Sequence, residues 1–159
     1  MKSAIRQITP KDYIQKSLEN AVNMEMYFIV RKVAKIAEKA VNLQRERGDE
    51  YRGMSAKQIK EKRKEPHTPN YIDDSGNLRQ SIGYMIALDG NPIAQDLQMD
   101  ESRKLAQQAL QGKTNGITLI LTAGMEYACY VSRLGYDVLD SAEIFCKEQL
   151  NKMLEKYKK

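Results

Sequence analysis

From Pro10 to Arg47 the chain contains no glycine and, after Pro10 itself, no proline. Its apolar residues Ile14, Leu18, Val22, Met26, Ile29, Val33, Ile36, Ala40 and Leu43 recur there at steps of three and four, the period of one face of an α-helix. Thr9 is placed to cap this helix, Pro10 suits its first position, and Asp12 puts negative charge in its first turn. At 1.5 Å per residue the helix reaches on the order of 50 Å. That is longer than a small domain needs, so the apolar stripe calls for another subunit as well as a core.

The next stretch, 48–70, is irregular and rich in Arg, Lys, Glu, Gly and Pro. It predicts a basic mobile arm with a short helix at 55–64, stopped by the prolines of Pro66-His67-Thr68-Pro69. Asp73-Asp74-Ser75-Gly76 then supplies turn and capping chemistry for a single helical turn at 77–81, leading into a strand at 82–88. Asp89-Gly90 is a hairpin signal, so 93–99 should return antiparallel. A second helix is expected over 100–111, stopped by Gly112, and the β-branched run 116–124 reads as a buried strand of the same sheet. A short helix at 127–134 ends at Gly135. An amphipathic helix at 137–157 closes the chain, with Val138, Ala142, Phe145, Leu150, Met153 and Leu154 as its buried stripe. This order predicts an α+β fold, a small mainly antiparallel sheet packed by a long N-terminal helix and a C-terminal helix.

The 159 residues suit one domain over 1–159. An apolar fraction of 42% with 30% charged residues is that of a folded protein rather than a disordered one. Cys129 and Cys146 are too few for a disulfide scaffold and lack the spacing of a zinc site, which fits a reducing compartment and no cofactor. No apolar run approaches the roughly 20 residues that span a bilayer, and the first residues lack the apolar core of a signal peptide, so no membrane partner is expected. The net charge of +5 is concentrated in the segment 55–65 and the tail 156–159. Lys57, Lys60, Lys62, Arg63 and Lys64 are thus either a solvated face or a surface for an anionic partner such as DNA.

Two short motifs remain. Ser75-Gly76-Asn77-Leu78-Arg79-Gln80-Ser81-Ile82 places Gly76 at a tight turn and puts Leu78 and Ile82, four apart, on one buried face with Arg79 outside. Tyr127-Ala128-Cys129-Tyr130-Val131-Ser132-Arg133-Leu134-Gly135 offers Tyr127, Tyr130, Val131 and Leu134 as a stripe toward the sheet, with Gly135 reversing the chain. The tyrosines read as core packing and the two cysteines as small core residues, while Arg79 is either an edge-capping arginine or half of an intersubunit salt bridge.

In these motifs the chain resembles the tail-completion and head-to-tail joining proteins of long-tailed bacteriophages, where a Thr/Ser-Gly-x-Leu-Arg-x-Ser-Ile segment precedes a strand and a Tyr-Ala-x-Tyr-Val-Glu-x-Gly segment follows a later one. The resemblance spans residues 10–155. Its departures are Ser75 where Thr is commoner, Ser132 where Glu is usual, and a hairpin plus helix at 89–115 that reads as an insertion. Loss of that Glu removes any intersubunit ion pair inherited at this position. The resemblance implies a non-enzymatic virion protein that works in a hexameric ring at the head–tail junction and is assembled in the host bacterial cytoplasm. Its partners would be the tail tube or tail terminator on one side and the head connector on the other, with non-specific contact to passing DNA. Ser75, Gly76, Leu78, Arg79, Ser81, Ile82, Tyr127, Ala128, Tyr130, Val131 and Gly135 become candidate subunit contacts.

Other patterns fail on their own chemistry. Gln111-Gly112-Lys113-Thr114 ends like a P-loop, but Gln107 holds the place of the first glycine and a strand follows instead of preceding. An EF-hand read on Asp73 would have Tyr71 as its first ligand and Ile82 as its last. His67, the single histidine, sits between two prolines in a basic loop and far in sequence from either cysteine. The rival to an assembly protein is a nucleic-acid-binding module using 55–65, although that segment has little aromatic interleaving and no helix-turn-helix, zinc-finger or RNA-motif signature.

Overall fold

A computed structural model describes residues 10–62, 64, 70–73 and 75–158. In chain order its elements are α1 (Pro10–Arg47), α2 (Ala56–Lys62), α3 (Asn77–Ser81), β1 (Ile82–Leu88), β2 (Asn91–Asp96), α4 (Asp100–Leu110), β3 (Ile117–Ala123), α5 (Ala128–Arg133) and α6 (Asp140–Glu155). The class is α+β, as the sequence pattern predicts. The chain divides into two units, Met1–Lys32 and Val33–Lys159. In the first, the described side chains of α1 are mostly exposed, including Leu18, Val22, Met24, Tyr27 and Phe28. The second holds the sheet and the core.

Within the second unit, α1 buries Val33, Ala37, Ala40, Val41 and Gln44. This face is rotated from the expected stripe, and Leu43 is left exposed. Small side chains explain the rotation: Ala40 meets Ala142 and Cys146 of α6 in one cluster, with Ile36, Phe145, Leu119 and Leu121 packed around it. The small side chains of Ala40 and Ala142 fill this contact, and Leu43 is left at its margin.

The sheet has the order β2-β1-β3, antiparallel throughout. β1 is the central strand and is buried on both faces over 82–87. Met85 packs with Leu97, Ala106, Leu110 and Ile120 on the α4 side. On the opposite face Leu119 and Leu121 meet α1 and α6. The β1–β2 turn is as expected, with Asp89 at φ 49° and Gly90 at φ 81°. β2 begins and ends earlier than the expected 93–99, because a two-residue turn restarts pairing at Asn91 and Leu97 leaves the strand to fill the α4-side core. β3, expected as a buried strand, is half-buried at all positions but one; it lies at a sheet edge. α6 begins at Asp140 rather than 137, since Asp137 forms a bridge to Asn70. Leu154, expected in its buried stripe, is exposed.

Residues 48–62 of the segment read as a mobile arm are folded. Gly48 and Tyr51 are buried, successive turns carry the chain from α1 to α2, and Lys62 forms an ion pair with Glu50 at 2.8 Å. Gly48 is required by the close approach of Tyr71, whose fully buried ring would put its hydroxyl oxygen 2.4 Å from any Cβ at that position. The same hydroxyl donates to the Gln44 carbonyl at 3.1 Å. Gly48→Ala should therefore cost about 2 kcal/mol, seen as a melting temperature lower by about 4–8 °C in a thermal scan followed by circular dichroism.

Candidate assembly surface

The first motif forms a joint. Gly76 takes a φ of 81° and its carbonyl accepts the Gln80 N–H at 3.0 Å, while the Asp73 carboxylate accepts the Arg79 N–H at 3.1 Å. These bonds hold α3, and Leu78 and Ile82 descend from it into the core fully buried. Ser81, also fully buried, offers its carbonyl to the Ser102 hydroxyl at 2.5 Å and to the Gly124 N–H at 3.2 Å, tying α3 to α4 and to the end of β3. Of the proposed contact residues in this motif, Leu78, Ser81 and Ile82 are therefore inaccessible. Arg79 pairs within its own chain, Nη1 lying 2.6 Å from Asp49.

Arg45 closes the sheet where β2 ends. Its Nε and Nη2 donate to the Ile82 carbonyl at 3.0 and 2.7 Å, and Nη1 meets Asp96 at 2.7 Å. The Asp137 carboxylate is a second anchor. Gln44 donates to both its backbone and side-chain oxygens at 2.9 and 3.1 Å, Arg47 to Oδ2 at 2.6 Å, and the Ser141 N–H to Oδ1 at 3.1 Å. This one buried carboxylate couples the end of α1 to the start of α6. Neither Arg45 nor Asp137 stood out in the sequence, because partners 37 to 93 residues away leave no local pattern.

The second motif is exposed where it was expected to be buried. Tyr127, Tyr130 and Leu134 face outward, with Tyr130 64% and Leu134 57% exposed; Val131 is half-buried and only Ala128 is buried. The cause is local. Gly135, at φ 86°, ends α5 in a Schellman turn, its N–H bonding the Ser132 carbonyl and the Tyr136 N–H that of Val131. With a helix of six residues, that turn seats Ala128 against the body and leaves the aromatic side outside. Cys129, read as a core residue, is exposed too, whereas Cys146 is buried and its thiol is pushed upward in pKa by that burial.

In the basic segment Lys57, Lys60 and Lys64 are exposed, Lys62 is turned onto Glu50 and lies 5.8 Å from the Tyr51 ring centre, and Arg63 and His67 fall outside the described residues. Gln111-Gly112-Lys113-Thr114 lies between α4 and β3, with no helix opening behind it. Among the described residues no group of His, Cys, Asp and Glu is arranged to hold a metal ion, and no helix is long and apolar enough to cross a membrane. A groove of about 340 Å³ runs between β3 and α6, lined by Leu119, Leu121, Leu139, Cys146 and Leu150, with Glu143 and Lys147 at its rim. Comparisons with protein-family models, curated proteins and solved structures found no match.

Two measurements test these anchors. Asp137→Ala should lower stability in urea by about 3 kcal/mol, whereas Asn at 137 keeps the shape and should recover part of the loss. Tyr71 is held above its ordinary pKa near 10, first by burial and then by the Asp73 charge. An unfolded chain ionises this phenol from about pH 10 while the folded chain keeps its proton. The stability contributed by the neutral phenol is thus complete below pH 10 and falls as pH rises above it. Urea midpoints between pH 9 and pH 11.5 should decline less steeply for Tyr71→Phe, with a residual slope from Tyr84, which burial also raises.

Proposed function

We propose that this chain is a structural virion protein of a tailed phage or prophage, completing the tail end and joining it to the head as part of a ring. The observation that carries this reading is the apolar exposure of α1: Leu18 and Val22, four residues apart, on one side and Met24, Tyr27 and Phe28 on another, each 47% or more exposed. Large apolar side chains left in water in such number mark a surface that another protein covers. Tyr127, Tyr130 and Leu134 on α5 add a second exposed apolar group, within the motif that carries the family resemblance. The α+β fold, the turn at Gly76 and the reversal at Gly135 agree with that resemblance. The buried Leu78, Ser81 and Ile82 take a scaffold role, so the ring contacts pass to Tyr127, Tyr130 and the α1 face. The partners are further copies of the chain, the tail tube or terminator, and the head connector; exposed Lys57, Lys60 and Lys64 would tolerate passing DNA without reading its sequence.

Deleting the gene from the phage or prophage that carries it and imaging the lysate by negative-stain electron microscopy tests the reading. Filled heads beside detached tails are expected. Intact infectious particles would overturn a joining role and direct attention to salt-dependent binding of nucleic acid by the basic segment. A complementing copy carrying Val22→Asp and Phe28→Asp should keep its unfolding free energy within about 1 kcal/mol, as two surface substitutions do, yet lower infectious titre by at least about tenfold.

A further inference from the structure

We propose that the outer edge of β3 pairs with the same edge of a second copy of this chain, antiparallel about a two-fold axis at Ile120. The inference is independent of the virion reading. The two sheet edges differ in kind. β2 carries Pro92, an irregular register between Ile86 and Ala87 of its partner strand, and the charge of Asp96, devices that discourage edge pairing. β3 reads Ile-Thr-Leu-Ile-Leu-Thr-Ala, seven residues with no proline, no charge and an unbroken register against β1.

The register of the new pair follows from the backbone. Hydrogen bonds from Asp89 N–H to the Gly116 carbonyl and from Gly124 N–H to the Ser81 carbonyl flank the β1–β3 ladder. Antiparallel ladders alternate, so Thr118, Ile120 and Thr122 turn their backbone groups toward β1. Ile117, Leu119, Leu121 and Ala123 turn theirs outward, where no described strand receives them. The run Thr118-Leu119-Ile120-Leu121-Thr122 is a palindrome. Pairing it with itself about Ile120 sets Leu119 opposite the partner's Leu121 in hydrogen-bonded positions and Thr118 opposite the partner's Thr122 between them. Every outward N–H and C=O meets its counterpart, and like side chains stack on each face.

The apolar groove extends this match. The partner's Leu119 and Leu121 would arrive on the face already occupied by Leu119 and Leu121, beside the groove completed by Leu139 and Leu150. Its rim carries one acid and one base, Glu143 and Lys147, paired at 2.5 Å. A copy related by a two-fold axis therefore brings no net like charge to that rim.

Sedimentation velocity on the full chain at about 100 µM should give twice the 18.2 kDa monomer mass; a monomer, or an open series of larger species, overturns the proposal. The register is tested by oxidation in a Cys129→Ser background. Ile120→Cys should form a disulfide-linked dimer, because facing residues at a non-hydrogen-bonded position lie about 4.5 Å apart between Cα atoms, within disulfide reach. Thr118→Cys alone should not cross-link, yet should do so when mixed with Thr122→Cys, and this mixture serves if Ile120→Cys fails to fold. Equal cross-linking of Thr118→Cys alone, or no cross-linking of either the Ile120→Cys chain or the mixture when folded, overturns the two-fold register.

Discussion

The buried Asp137 carboxylate is the constraint on which the helical layer depends. A carboxylate that is 3% exposed is tolerated only when its lone pairs are filled, and here Gln44, Arg47 and Ser141 fill them from two helices. The bond from Gln44 fixes the rotation of α1. With Gln44 turned inward, Ala37, Ala40 and Val41 must follow it, because they share its helical face. That rotation brings Gly48 beneath Tyr71, whose hydroxyl then satisfies the Gln44 carbonyl in the last turn of the helix. One polar cluster thus sets which apolar residues of α1 reach the core and which stay outside.

Local pattern and tertiary demand can be separated along this chain. The elements were legible because each has a local cause: an uninterrupted 3.6-residue period for α1, Asp89-Gly90 for the hairpin, Gly76 and Gly135 for the turns around α3 and α5. Faces were less legible. Leu43 and Leu154 carry the right period for burial but stay exposed: the bond from Gln44 to Asp137 turns α1 so that Ala40 rather than Leu43 meets α6, and Leu154 lies in the last turn of α6, beyond the Ala142 and Cys146 cluster. The tyrosines of α5 were misread because a six-residue helix held by a Schellman turn has one inward position to fill, and Ala128 takes it. Arg45, which replaces a missing ladder partner for Ile82, was invisible because its role exists only once β2 ends at Asp96.

The same separation divides the functional candidates. Of the residues that carry the phage-family resemblance, Gly76, Leu78, Ser81 and Ile82 fix the joint among α3, α4 and the end of β3, while Tyr127 and Tyr130 stand in water at α5. A scaffold can keep its turn chemistry while its contacts vary, since joint residues are constrained by the chain itself and surface residues by whatever they meet. The intrachain pairing of Arg79 with Asp49 belongs with the joint. The ring contacts of the proposed function must therefore come from the helical apolar groups, where the exposed area lies.

The two kinds of self-association proposed for this chain differ in symmetry. A β3 edge meeting its copy across a two-fold axis closes on itself and admits no third chain. A ring needs a heterologous contact, one face of a subunit meeting a different face of the next, and in the proposed assembly the exposed apolar groups of α1 and α5 would be two that are unlike. The edge pair therefore suits the free protein. It covers an apolar, uncharged strand that would otherwise template aggregation while leaving the helical faces to build the larger assembly.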